Sequence, residues 1–172
     1  MRKKILLIII TPIILLSSTE VNAQKIKSVE IDKFTGKRRI ESSRILLKDG
    51  LMQTLGVYAR SVDTTVFLNF YGNIGVGVVG PNDPITFLLD DKTTIKAYPT
   101  SIQSYDISPD SYSQQYIISL SDFKLLKSKL VTSIRRTYGS NYIDLDIKEK
   151  ASNKLKSLAE LFFAELEKQP NS

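Results

Sequence analysis

The stretch Val131–Lys168, VTSIRRTYGSNYIDLDIKEKASNKLKSLAELFFAELEK, changes its period in the middle. Val131–Thr137 reads as a strand, and from Tyr142 to Ile147 apolar and polar residues alternate, the two-residue period of a strand with one buried face. Tyr138-Gly139-Ser140-Asn141 between them is rich in turn formers. A chain folding back over this four-residue loop sets Thr137 against Tyr142, Arg135 against Asp144 and Ile134 against Leu145. Ile143, Leu145 and Ile147 should then point inward, and Asp144 and Asp146 outward. Past Ile147 the spacing lengthens. Ala151, Leu155, Leu158, Phe162 and Leu166 fall on one stripe of a helix over 149–168, with Leu161 beside it and Pro170 beyond its end.

Upstream, Phe123, Leu126 and Leu130 share a face at spacings of three and four, which predicts a short helix near 122–130. Ser121 is the expected cap, its hydroxyl accepting a free backbone N–H, and Asp122 suits the positive helix end. Before Ser121 the pattern is that of strands. Candidate runs are Ile26–Phe34, Arg38–Leu47, Thr54–Arg60, Thr65–Tyr71, Ile74–Val79, Ile85–Leu89, Thr94–Tyr98 and Gln115–Leu120. Turns are expected at Thr35-Gly36-Lys37, Lys48-Asp49-Gly50, Ser61–Thr64 and Asp90-Asp91-Lys92, and Pro81-Asn82-Asp83-Pro84 stops the run before it. Residues 99–114, rich in Ser, Pro, Asp and Tyr, form a long loop. Strands first and helices late predict an α+β fold: a mainly antiparallel sheet of about seven to nine strands covered by helices. A β-barrel closed around the last helix is the alternative.

The N-terminus has its own signature. Arg2, Lys3 and Lys4 form a positive head, Ile5–Leu16 is almost wholly aliphatic, and Val21-Asn22-Ala23 gives a small-residue exit. That is the layout of a secretion signal, and the apolar run falls short of the roughly 20 residues a spanning helix needs. Residues 1–23 are therefore expected to be a signal peptide, cut between Ala23 and Gln24, and residues 24–172 a single domain. With no Cys in the chain, no lipid can be attached at the cut. A signal ending Ala23-Gln24 resembles those of exported proteins of the Bacteroidetes. In its signal, size and strand-then-helix order, the whole chain resembles the small exported, non-lipidated proteins of that group. The resemblance implies a periplasmic or extracellular protein and transfers no activity.

Composition excludes much chemistry. The chain contains neither His nor Cys. Triads built on Ser-His or Cys-His are ruled out, as are the usual zinc, haem and copper sites, which rely on imidazole or thiolate. No cofactor, metal or catalytic residue is expected. Without residues 1–23 the chain carries 21 basic and 17 acidic residues. The basic residues, including Lys37-Arg38-Arg39 and Arg135-Arg136, are dispersed, as on solvated faces that weakly attract anionic envelope polymers. No basic and aromatic stacking motif marks a nucleic-acid partner.

Four short motifs have plainer structural readings. Gly75, Gly77 and Gly80 match G-x-G-x-x-G, but prolines and a strand follow where a dinucleotide site needs a helix. Ser121 and Lys124 match S-x-x-K of penicillin-binding proteins, without the companion motifs. Asp144 with Asp146, and Asp90 with Asp91, could hold a cation or share acid–base work. The plainer role for Asp144 is a cross-strand pair with Arg135. Asp63-Thr64-Thr65 resembles the O-glycosylation acceptor of exported Bacteroidetes proteins, with Thr64 as the acceptor. Tyr98, Tyr105, Tyr112 and Tyr116 gather in and around the long loop and make the expected contact surface. The expected role is a non-enzymatic binding module for an envelope protein or glycan. A carboxylate-dependent glycan hydrolase and a lipocalin-like carrier of an apolar ligand are the alternatives.

Overall fold

The computed structural model describes residues 24–50, 53–73, 79–100, 104–105 and 112–168. Its strands are β1 (Ile26–Ile31), β2 (Arg38–Ser42), β3 (Ile45–Lys48), β4 (Leu55–Val62), β5 (Thr65–Gly72), β6 (Ile85–Leu89), β7 (Thr94–Pro99), β8 (Ser104–Tyr105), β9 (Tyr112–Ile118), β10 (Val131–Tyr138) and β11 (Asn141–Asp146). Helix α1 (Leu120–Ser128) falls between β9 and β10, and α2 (Glu149–Leu166) follows β11. The α+β class is as expected. The described residues form eleven strands, more than the seven to nine expected, for two reasons. The run 38–47 is broken at Ser43-Arg44 into β2 and β3, and β8 is a two-residue addition to β9. Both pieces of the broken run pair with the same edge of β4 (Glu41 with Arg60, Ile45 with Val57). At the break the Ser42 hydroxyl accepts the Ala59 N–H at 2.9 Å, so no buried donor is lost.

All strand pairs are antiparallel, in the order β1-β2-β4-β5-β9-β7-β6-β10-β11, with β3 beside β4 and β8 beside β9. The two ends of this order, β1 and β11, do not pair with each other, so the sheet stays open and the barrel alternative is not realised. It is nevertheless curved: α2 touches β1–β4 near one end and β10 near the other. The hairpin register is the expected one, with Thr137 on Tyr142, Arg135 on Asp144 and Ile134 on Leu145. The turn is tighter than expected because Tyr138 and Asn141 also pair, and Gly139 takes the positive φ of 59° that a two-residue turn demands.

Alternation divides every strand between the two faces. Val57 and Ala59, Leu68 and Phe70, Phe87 and Leu89, and Ile134 and Leu145 are buried on the face that α1 and α2 cover. Phe70 meets Tyr116 edge-on at 5.7 Å, and Phe123 of α1 meets Phe162 of α2 at the same distance. Each ring pair adds roughly 1 kcal/mol to what area burial supplies.

Three residues depart from the sequence reading. The cap of α1 is Ser119, not Ser121: its hydroxyl accepts the Asp122 N–H at 3.1 Å, and the helix starts at Leu120. Ser121 already lies in the first turn and its hydroxyl contacts that of Ser119 at 2.9 Å. Ser152, polar and next to the expected stripe, is buried because its hydroxyl accepts the Val131 N–H at 2.7 Å, beside the irregularity in the β10–β6 pairing. Arg38 is not on a solvated face. Its guanidinium donates to the carbonyls of Glu165 and Lys168 and to the Glu165 carboxylate, tying β2 to the end of α2.

Candidate functional site

The helices cover one face of the sheet, so the outward residues of the strands form the other. On the half made of β7, β6, β10 and β11, these side chains stand in register. Lys96 pairs with Thr86, Thr86 with Arg135, and Arg135 with Asp144, giving one row across four strands. One step along, Thr94, Leu88, Ser133 and Asp146 form a second row. One step the other way are Tyr98, Thr137 and Tyr142, with Thr137 paired to Tyr142. A groove of about 580 Å³ runs over this grid, with Pro84, Leu88, Lys96, Arg135, Thr137 and Asp144 among its walls.

Its charged centre is ordered. Arg135 Nε and Nη2 donate to the two Asp144 oxygens at 2.7 and 2.6 Å, a two-point fork. The guanidinium also lies 4.0 Å over the Tyr142 ring. The hydrogen bonds and charge of Arg135 hold the Asp144 carboxyl below its ordinary range, and Asp144 in turn pushes Arg135 up. Asp144 is therefore an ionised acceptor in the neutral range and not a proton donor. Lys96 and the hydroxyls of Thr86, Thr94, Ser133 and Thr137 complete a floor of donors and acceptors, with Tyr98 and Tyr142 exposed at one end.

The other sequence-derived candidates are scattered. Tyr98 is half exposed and extends the groove face. Tyr116 is fully buried among Phe70 and the inner face, so it cannot belong to a contact surface. Alternation from Ser113 turns it inward. Burial pushes its hydroxyl pKa up, while the neighbouring Arg136 opposes this and Asp83 adds to it. Tyr105 and Tyr112 are register partners of β8 and β9. Residues 101–103 and 106–111 of the expected loop lie outside the described residues, and the loop is shorter than expected because β7 reaches Pro99 and β9 starts at Tyr112. Thr64 is exposed at the β4–β5 turn, beside Asp63 with its φ of 52°. Asp146 shares the outward face with Asp144 but lines a different hollow. Asp91 is ion-paired with Lys129, which holds its carboxyl down to about 2. Gly75 and Gly77 lie outside the described residues, and Gly80 leads through a turn into β6 with no helix in the described part. Ala23 and the residues before it lie outside them too, and Gln24 is the first described.

Compared with known proteins, the chain matches no family model, no curated protein and no solved structure.

Among the described residues no acidic cluster of three or more could hold a metal ion, and no helix is long and apolar enough to cross a membrane. Sequence reasoning paired Arg135 with Asp144 and singled out Tyr98 apart from them. It missed Lys96, Thr86 and Thr94, because nothing local reveals that β6 lies between β7 and β10.

Proposed function

We propose that this protein is an exported binding module whose ligand is an oligosaccharide, held in the groove over β7, β6, β10 and β11. The observation that carries this reading is the row Lys96–Thr86–Arg135–Asp144 along the groove floor. Sugar hydroxyls both donate and accept. A fixed carboxylate, a guanidinium already oriented by it, an ammonium and several hydroxyls meet that need without reorganising. Exposed tyrosine rings at the groove's end suit the apolar C–H faces of a sugar. The depressed Asp144 carboxyl supports binding over glycoside cleavage, which requires one carboxylic acid kept protonated.

Export rests on the N-terminal pattern of residues 1–23, and protein recovered from its native source should begin at Gln24. The groove is tested by titrating purified protein with a panel of envelope oligosaccharides, observed by ligand NMR and calorimetry. Arg135→Ala should weaken the best binder by about tenfold or more, a loss of one charge-assisted contact. Thr86→Val should weaken it less, and neither should shift the melting temperature by more than a few degrees. Equal affinity in wild type and Arg135→Ala would remove the groove as the ligand seat.

A further inference from the structure

A second surface, away from the Arg135 groove, concentrates positive charge. Two hollows of about 320 and 550 Å³ meet at Leu46 and Lys154, between β3 and the first turns of α2. Lys25, Arg44, Lys48, Lys148, Lys150 and Lys154 line them. Asp49 and Asp146 are the two carboxylates there. Among the described residues none of these six cations takes part in an ion pair. Lys27, Arg38, Arg39, Arg60, Lys129, Arg135 and Lys168, by contrast, each have a carboxylate partner. The surface therefore carries six uncompensated cations against two acids, where charge self-repulsion is a standing cost.

One of the six is held in place. The Arg44 guanidinium lies 5.4 Å from the Tyr58 ring centre and 5.2 Å from that of Tyr71. The Tyr71 ring packs against Gly56, where a Cβ would come within 2.1 Å of it, and its hydroxyl reaches the Ile45 carbonyl at 3.4 Å. Helix α2 starts here; its cap residue Lys148 makes no side-chain capping bond, and Glu149 is the acidic residue of its first turn. The two hollows share Leu46 and Lys154 in their walls, and cations spread over both suit an extended chain better than a compact anion.

From this charge and its spread we infer that the β3–α2 surface binds a linear acidic polysaccharide, its carboxylate or sulfate groups spaced along the two hollows. This is independent of the Arg135 groove. The probe is polygalacturonate, with neutral dextran as control, measured by calorimetry on the purified chain at several salt concentrations. Binding to polygalacturonate alone, falling steeply with salt, is expected. The combined change Lys48→Ala, Lys150→Ala and Lys154→Ala should weaken it by about tenfold or more. Lys154→Glu alone should weaken it measurably, with the melting temperature kept in both. Arg135→Ala should leave it unchanged, which separates failure of this surface from failure of the oligosaccharide groove. Absence of polygalacturonate binding overturns the inference. So does binding that survives the triple change, or tighter binding to phosphatidylglycerol vesicles or single-stranded DNA.

Discussion

Replacing Arg38 by Ala tests how the sheet holds its last helix. Arg38 Nη1 donates to the Glu165 carbonyl at 2.9 Å and the Lys168 carbonyl at 3.1 Å, and Nη2 to Glu165 Oε1 at 2.6 Å. The last turn of α2 has no basic residue of its own, so this guanidinium supplies both the donors and the positive charge that the helix end lacks. The side chains are only 15% and 13% exposed, which places the pair nearer the buried regime than the surface one. Breaking a fully buried pair from one side costs about 3–5 kcal/mol, and an exposed pair under about 1. Lys168 Nζ still reaches the other Glu165 oxygen at 2.6 Å, and water can reach the freed carbonyls. The expected loss is therefore about 2–3 kcal/mol, or roughly 5–10 °C in melting temperature for a domain of this size. Urea unfolding gives the first number and calorimetry the second. Arg38→Lys keeps the charge but loses the fork, and should recover less than half of the loss. Arg39→Ala is the control. Its pair with Asp32 is half exposed and should be worth under about 1 kcal/mol. An Arg38→Ala protein within about 0.5 kcal/mol of wild type, or an Arg39→Ala protein equally damaged, would refute the clamp.

Two further perturbations probe the frame. Gly72 closes β5 with a φ of 145°, and a Cβ there would lie 1.9 Å from the Thr54 carbonyl oxygen. Gly72→Ala should cost about 3 kcal/mol or more, read as a fall in the urea midpoint, and an unchanged midpoint would contradict this geometry. The carboxyls of Asp32, Asp91 and Asp144 are all held below the unfolded value of 3.8, by backbone N–H groups at Asp32, by Lys129 at Asp91 and by Arg135 at Asp144. Groups of this sign stabilise the folded chain above their unfolded pKa and lose that contribution as pH falls through the folded one. Melting temperature should thus drop between about pH 4 and pH 2, less steeply in Lys129→Met, and a flat profile through this window would rule out the linkage.

What the sequence by itself determined was local. The period switch within Val131–Lys168 specified a hairpin and an amphipathic helix, and the position of the turn placed Arg135 against Asp144 in the register observed. A two-strand register depends on turn length and on which face is apolar, and both are written within about fifteen residues. Caps are nearly local, yet Ser119 took the role expected of Ser121 because the helix began one residue before it. Tertiary structure alone decided the strand order. It set β9 between β5 and β7, and β6 beside β10, and so assembled the Lys96–Thr86–Arg135–Asp144 row from two separate hairpins, β6–β7 and β10–β11. It also buried Tyr116 and brought Arg38 to a helix end 127 residues away. Such neighbours result from competition among all the strand edges for partners and for cover by the helices. The winner depends on the sum over the whole chain, so no window of sequence contains it.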